Sequence, residues 1–439
     1  MIRLSRPTDS ARHNIQRRTR TVLLAVVFVG GCVHSPRVAR PARHISYWEA
    51  LAELYPVEAV AVARTDAERK FAEALTSLMA GDIETAEQGF AALRTTAPDS
   101  IIRAGSRVIY TATLQYQEKW SDLAALKNEP SQPKADRTDK ASIEWWAVAF
   151  KDVPPKTIAF RTSSTVMPMS VSAVGTPLVP VRIGGKNFNF WLDTGSSMTM
   201  LASDVARDLN IVPLVPDTLE IVTSTGRVKA HPALLPLIQL GTLVIRNAPT
   251  MIVDESLMQM REPKPIEISP KVKIDGIIGF DIIRQLDLEV DYGDASLKVR
   301  NPTTSRREAP RNMFWVGLPI VQLTSGEGIP LHFGLDTGAQ QTFVTETMLD
   351  KLQVQAARVE SRRVGGLGGE VSLRAPVLPD VRLFVRGFAI LFRSAVVRAP
   401  VYQVLASLDG VLGGDIWNSG VVRIDMTNGI FSVRHPQPN

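Results

Sequence analysis

The strongest constraint on this chain is that its C-terminal part is written twice. Leu192-Asp193-Thr194-Gly195-Ser196-Ser197 returns as Leu335-Asp336-Thr337-Gly338-Ala339-Gln340, each time after an apolar, strand-like run. Further on, Ile274-Asp275-Gly276-Ile277-Ile278-Gly279-Phe280-Asp281-Ile282-Ile283 is echoed by Leu408-Asp409-Gly410-Val411-Leu412-Gly413-Gly414-Asp415-Ile416-Trp417, with five of ten positions identical. The register then holds without a gap, so that Asp291 matches Asp425, Val299 matches Val433 and Pro302 matches Pro436. An internal repeat of this kind means two copies of one lobe.

One Asp-Thr-Gly is a common turn sequence, because Asp and Gly each favour turns. Two copies, each with its own downstream echo, suit a two-carboxylate hydrolase. Carboxylates held about 3 Å apart cannot both ionise, so they share a proton and titrate as a pair. The ionised member serves as base toward a water, and the protonated member serves as acid toward the carbonyl oxygen under attack. No metal and no covalent intermediate is required. Gly after Asp-Thr is expected to supply a tight turn with close backbone approach, because only Gly tolerates positive φ without a Cβ penalty. The Ser196 hydroxyl is expected to bond its own Asp, which Ala339 cannot do, making the two carboxyls inequivalent. Asp275, Asp281, Asp409 and Asp415 read as turn or helix-capping residues.

These residues resemble the retropepsin-like and pepsin-like aspartic peptidases: Asp-Thr-Gly-(Ser/Ala), followed some 80 residues on by two apolar residues and Gly. The resemblance covers roughly residues 170–437. It implies an all-β bilobal aspartic-peptidase fold with Asp193 and Asp336 as the catalytic pair. It also implies Thr194 and Thr337 as a lock across the lobe interface, with Gly195, Ser196, Gly338 and Ala339 completing the loops and Gly279 and Gly413 as supporting turns. Gly365-Gly366-Leu367-Gly368-Gly369 looks like the glycine-rich flap of a retropepsin subunit. The matching place in lobe one holds only Thr225-Gly226 within Thr223–Arg227, and it lacks the flap tyrosine of pepsin-like enzymes.

Other chemistries have no anchor. The six histidines are scattered, and neither a His-Glu-x-x-His nor a paired-Cys spacing is present, so no metal is expected. A Gly-x-Ser-x-Gly elbow and a phosphate loop are also missing, and no cofactor is called for. His231 and His332 read as ordinary strand or loop residues.

The front of the chain points to export. Residues 1–20 carry six Arg and one Asp, followed by an apolar run from Val22 to Val29 and then Gly30-Gly31-Cys32. That is the layout of a signal peptide, and the run is far below the roughly 20 residues a spanning helix needs. Val29-Gly30-Gly31-Cys32 resembles a bacterial lipobox, which implies lipidation of Cys32, the only cysteine of the chain. A plain export signal with an incidental cysteine is the alternative. The expected location is extracytoplasmic, anchored to the cell envelope, and at the outer membrane of a Gram-negative cell because Val33 replaces an inner-membrane retention Asp. Those first residues hold nearly all of the formal charge of +6, so the rest is near neutral and no nucleic-acid partner is implied.

Between Cys32 and the first lobe, Ala74, Gly81-Asp82, Ala86, Phe90 and Pro98 fall at spacings that resemble a tetratricopeptide repeat. Tyr110, Leu114, Trp120 and Leu123 suggest a second helical hairpin. The resulting division is 1–31 signal peptide, 32–128 all-α helical hairpins, 129–156 linker and docking segment, 157–303 lobe one and 304–439 lobe two. The Pro-containing stretch 128–140 reads as linker, and Trp145-Trp146 as part of a docking element. Residues 255–273 read as a mobile surface insertion. The helical region either holds a partner protein or acts as a spacer. The function expected is a membrane-anchored aspartic endopeptidase, competent as a monomer, with a non-catalytic peptide-binding lipoprotein as the alternative.

Overall fold

A computed structural model describes residues 45–129, 139–172, 175–223, 226–261, 271–304, 310–356, 358–367, 369–399, 406–416 and 420–434. Cys32 and the export-signal-like segment, Thr225, Gly368, the linker residues 130–138 and the centre of the lobe-one insertion, 262–270, lie outside these.

Helices come first. Asp66–Ala80 and Ile83–Thr96 form one antiparallel pair, and Ser100–Tyr116 and Trp120–Leu126 follow. Thr65 and Glu68 make a capping box that satisfies orphan N–H groups at the start of Asp66–Ala80. Gly81, at φ +84°, ends that helix in the left-handed conformation, and Asp82 caps the next. Phe71 meets Phe90 edge to face at 5.3 Å between these helices. After the linker, Ile143–Phe150 is a docking helix, with Trp146 and Phe150 buried.

Two β-rich lobes follow, as the repeat requires. In lobe one, Gly276–Ile278 lies parallel to Lys186–Leu192 and antiparallel to Met200–Ala202. In lobe two, Gly410–Leu412 lies parallel to Pro330–Leu335 and antiparallel to Phe343–Val344. Each Asp-Thr-Gly loop leaves the strand that runs beside its own downstream apolar segment. Short helices, Ser203–Asp208 and Glu346–Leu352, follow the loops. The base of the lobe-one insertion is a paired hairpin, Gln259–Arg261 with Lys271–Lys273, and Met258 beside it is fully buried. That base is part of the lobe, which corrects the expectation of a surface insertion from residue 255 on.

A five-stranded sheet joins the lobes. Its central pair is Asp287–Asp291 antiparallel to Val421–Asp425, flanked by Ser296–Arg300 with Ser164–Pro168 on one side and Ile430–Arg434 on the other. Glu289 faces Arg423 across the central pair. Each lies two residues before a repeat-matched Asp, so these two are equivalent positions and the pseudo-twofold axis passes between them.

The helical region rests on both lobes. Lys156, whose side chain is 2% exposed, bonds Glu118 of the helices and Asp281 of lobe one, and Arg284 also reaches Glu118 at 3.1 Å. On lobe two, Lys351 bonds the fully buried Asp409 at 3.1 Å with Glu53 nearby, and Ser407 N–H donates to Ala52 O. Tyr116 packs on Phe280 of lobe one and Trp315 of lobe two.

Candidate active site

The two Asp-Thr-Gly loops meet head to head where the lobes adjoin. Thr194 N–H donates to the Thr337 hydroxyl, and Thr337 N–H donates to the Thr194 hydroxyl, both at 3.0 Å. Each hydroxyl then donates onward to the opposite lobe, Thr194 to Leu335 O at 2.8 Å and Thr337 to Leu192 O at 2.7 Å. Both threonines are buried. The four bonds therefore form in a low-dielectric setting where an unmade bond would be costly.

The carboxyls of Asp193 and Asp336 project from these loops in matching ways. Asp193 Oδ1 accepts from the N–H groups of Gly195 and Ser196 at 2.8 and 3.1 Å. Asp336 Oδ1 accepts from those of Gly338 and Ala339 at 3.0 and 2.9 Å. The Ser196 hydroxyl donates instead to Met198 O at 2.7 Å. This corrects the expectation that Ser196 would distinguish the two carboxyls, because main-chain donors of the same kind serve both.

Gly195 and Gly338 are sites of close approach, but the positive φ expected of them is absent. Neither is among the positive-φ residues. A β-carbon on Gly195 would lie 2.5 Å from Cγ of Asp336, and one on Gly338 would lie 2.5 Å from Cγ of Asp193. Each glycine is the floor over which the other lobe's carboxyl passes.

The Asp193 carboxyl is held well above the usual carboxylate range. Burial is the main cause and the Asp336 charge the second, while the N–H bonds from Gly195 and Ser196 act in the opposite direction.

The repeated downstream segments hold the loops from below. Asp193 N–H donates to Ile278 O and Asp336 N–H to Leu412 O, both at 3.1 Å. Gly279 lies against the backbone of Met198 and Gly413 against that of Gln341, leaving no room for a β-carbon at either place. The four repeated aspartates are clamps between segments, which corrects their reading as caps. Asp275 accepts from Asn189 N–H at 2.9 Å, and Asp409 from His332 N–H at 2.7 Å, each four residues before an Asp-Thr-Gly aspartate. Asp281 bonds the Thr199 hydroxyl at 2.9 Å and Asp415 the Thr342 hydroxyl at 2.7 Å. Those hydroxyls accept in turn from the N–H groups of Gly279 and Gly413. Burial raises the carboxyls of Asp281, Asp409 and Asp415.

Above the carboxyls lies a cavity of about 410 Å³ lined by both loops. Lobe two reaches it with the hairpin Arg358–Gly366 and Gly369–Val377. Gly365 and Gly366 lie on the first strand, Gly369 opens the second, and Leu367 in the turn lines the cavity. In lobe one, Leu219–Thr223 pairs with the start of Gly226–Leu240, and Thr223 faces Gly226 at the described end of that hairpin.

The sequence reading missed several cavity residues. Gln115 of the helix Ser100–Tyr116, in the region read as spacer or partner platform, and Ile143 and Trp146 of the docking helix, in the segment read as linker and docking element, line the cavity. Trp191, two residues before Asp193, lines it as well; the equivalent position before Asp336 is Gly334. That break in an otherwise close repeat was the available signal. The Trp191 indole N–H is buried with no partner among the described residues.

Comparison with protein families matches residues 179–282 and 321–416 to one family model, described as Aspartyl protease. Each match contains one Asp-Thr-Gly loop with its downstream glycine turn. A search of curated proteins finds no match. The architecture is a bilobal aspartic-peptidase-like fold with a helical N-terminal region, and the twofold match to this family supports a peptidase.

Proposed function

We propose that the chain is an aspartic endopeptidase in which Asp193 and Asp336 activate a water molecule together. The observation that carries this reading is the pair of half-buried carboxyls, one from each lobe, close enough that each acts on the other's charge, at the floor of one cavity. Their shared proton gives one base and one acid at the same pH. The base takes a proton from water as its oxygen bonds the peptide carbonyl carbon. The acid protonates the carbonyl oxygen, and the resulting tetrahedral species collapses by breaking the C–N bond as a proton passes to the leaving amine. The four main-chain donors fix both carboxyls before substrate arrives, so little reorganisation is needed during the reaction. Since each lobe supplies one Asp, a monomer suffices.

The test is hydrolysis of a denatured protein mixture by the full chain in detergent across pH 3 to 9, beside Asp193→Asn and Asp336→Asn. Either change alone is expected to abolish cleavage. If folded wild type binds peptides but cleaves none at any pH, the chain is a peptide-binding protein with this fold.

The export-signal-like start and Val29-Gly30-Gly31-Cys32 support an extracytoplasmic enzyme held at the cell envelope by a lipid on Cys32. Metabolic labelling with a radioactive fatty acid tests this: label on the wild type and none on Cys32→Ser is expected, and equal labelling of both would overturn it.

A further inference from the structure

The helical region contributes to the cavity in a way that neither lobe repeats. Leu219–Thr223 is the last strand of its sheet, so among the described residues one side of its backbone has no strand partner. The segment before and within the docking helix covers that side. Glu220 N–H donates to Lys140 O at 3.1 Å, and the Trp146 indole N–H donates to Glu220 O at 3.1 Å. Arg227, across the same hairpin, binds Asp139 with two bonds of 2.6 and 3.1 Å and Glu220 with one of 3.1 Å. The docking helix is fixed in turn from behind, with Trp146 stacked on Phe150 and Phe150 packed on Trp120. Its position against the lobe-one hairpin is therefore built rather than incidental.

The two halves of the cavity consequently differ in chemistry. Lobe one offers Trp191, Met198 and Met200 where lobe two has Gly334, Gln341 and Phe343 at the equivalent positions. Ile143 and Trp146 add an apolar wall on the side of Leu219–Thr223.

We propose that the helical region determines specificity, with Ile143 and Trp146 closing the lobe-one half of the cleft into a fixed apolar subsite for one large apolar side chain of a peptide. The proposal rests on the peptidase reading above. Without this wall, the half-cleft would stay open along the edge of Leu219–Thr223 and discriminate weakly. With it, side-chain size at one substrate position is read by a helix that lies outside the repeated lobes.

The experiment compares full-length wild type, Ile143→Ala and Ile143→Trp on a quenched-fluorescence peptide library varied on both sides of the scissile bond. Melting temperatures serve as the folding control. Ile143→Ala is expected to shift one position toward larger side chains, and Ile143→Trp the same position toward Gly and Ala. A change of roughly 10-fold or more in kcat/KM is expected for the best wild-type residue, the scale of one methylene-sized misfit in an apolar pocket. Preferences on the other side of the scissile bond stay unchanged. Superimposable profiles from folded variants would overturn the proposal while leaving the peptidase reading intact. Binding of peptides carrying a hydroxyethylene group in place of the scissile amide is measured in parallel on the same three proteins. If nothing is cleaved but binding preferences shift with Ile143, the subsite stands and the peptidase reading falls; if wild type neither cleaves nor binds, both fall.

Discussion

Gly195 lies directly under the carboxyl of Asp336, so close that a single added methyl group would overlap it, and Gly338 stands in the same relation to Asp193. The glycines of the two loops thus set the separation of the carboxyls, each acting on the partner from the other lobe. Gly195→Ala must push Asp336 away or open the lobes. A displacement near 1 Å in a reacting group costs about 100-fold. We expect Gly195→Ala and Gly338→Ala each to lower kcat by at least that factor, measured on the best peptide substrate, and a variant of near-wild-type rate would contradict the geometry.

The raised carboxyl of Asp193 links ionisation to stability. A carboxyl whose folded pKa exceeds its unfolded one stabilises the fold below the ordinary carboxylate range, and that contribution is lost as pH rises through the folded value. Asp193→Asn removes the group that must ionise. Its melting temperature is expected to match wild type near pH 3 and to exceed it by a few degrees at pH 8 and above. A constant offset at all pH values would show that the pair is not strained by ionisation. The same linkage predicts a bell-shaped rate profile for the wild type, with an alkaline limb displaced above that of an ordinary carboxyl.

The threonine lock gives a separate prediction. Thr337→Val keeps the shape but leaves Thr194 N–H without its acceptor and Leu192 O without its donor. Each orphaned buried group costs about 1–3 kcal/mol. The urea midpoint should fall accordingly, while Thr337→Ser, which keeps the hydroxyl, should lie close to wild type. Equal losses in the two variants would mean that packing of the methyl group, not the bonds, holds the loops.

His332 limits stability at the acid end. Burial, helped by the Lys351 charge, pushes its imidazole down to about 4. A histidine lowered in this way stabilises the fold above its unfolded pKa, and that contribution fades as pH falls from about 6.5 toward 4. His332→Phe should show a flatter decline in melting temperature over this interval than the wild type. A parallel decline in both proteins would assign acid sensitivity to other groups.

Much of this site could be read from the sequence because repetition is itself structural information. The matched Asp-Thr-Gly loops and the matched apolar-Gly segments are the elements that come together around the pseudo-twofold axis. Repetition tells that a residue is needed twice, but not for what. Asp275 and Asp409 read in the sequence as turn or helix-capping residues, yet their partners, Asn189 and His332, lie more than seventy residues away. Gly195 and Gly338 stand out in the sequence as turn glycines, whereas the atom that excludes a side chain at each belongs to the opposite lobe. The cleft wall at Ile143 and Trp146 was hidden for a related cause. Its apolar helix signals docking, and only the course of the chain after the linker decides that it docks beside the carboxyls.

The pseudo-twofold axis between Glu289 and Arg423 has a last consequence. In a symmetric homodimer every substitution is made twice, so a bulky residue that improves one end of the cleft also appears at the other. Joining the copies in one polypeptide removes that coupling. Trp191 and Gly334 occupy corresponding places and have taken opposite extremes of side-chain size, and the docking helix accompanies only one of them. Under the proposed function, a peptide lying across this axis would meet two different surfaces and would be bound in one direction in preference to its reverse.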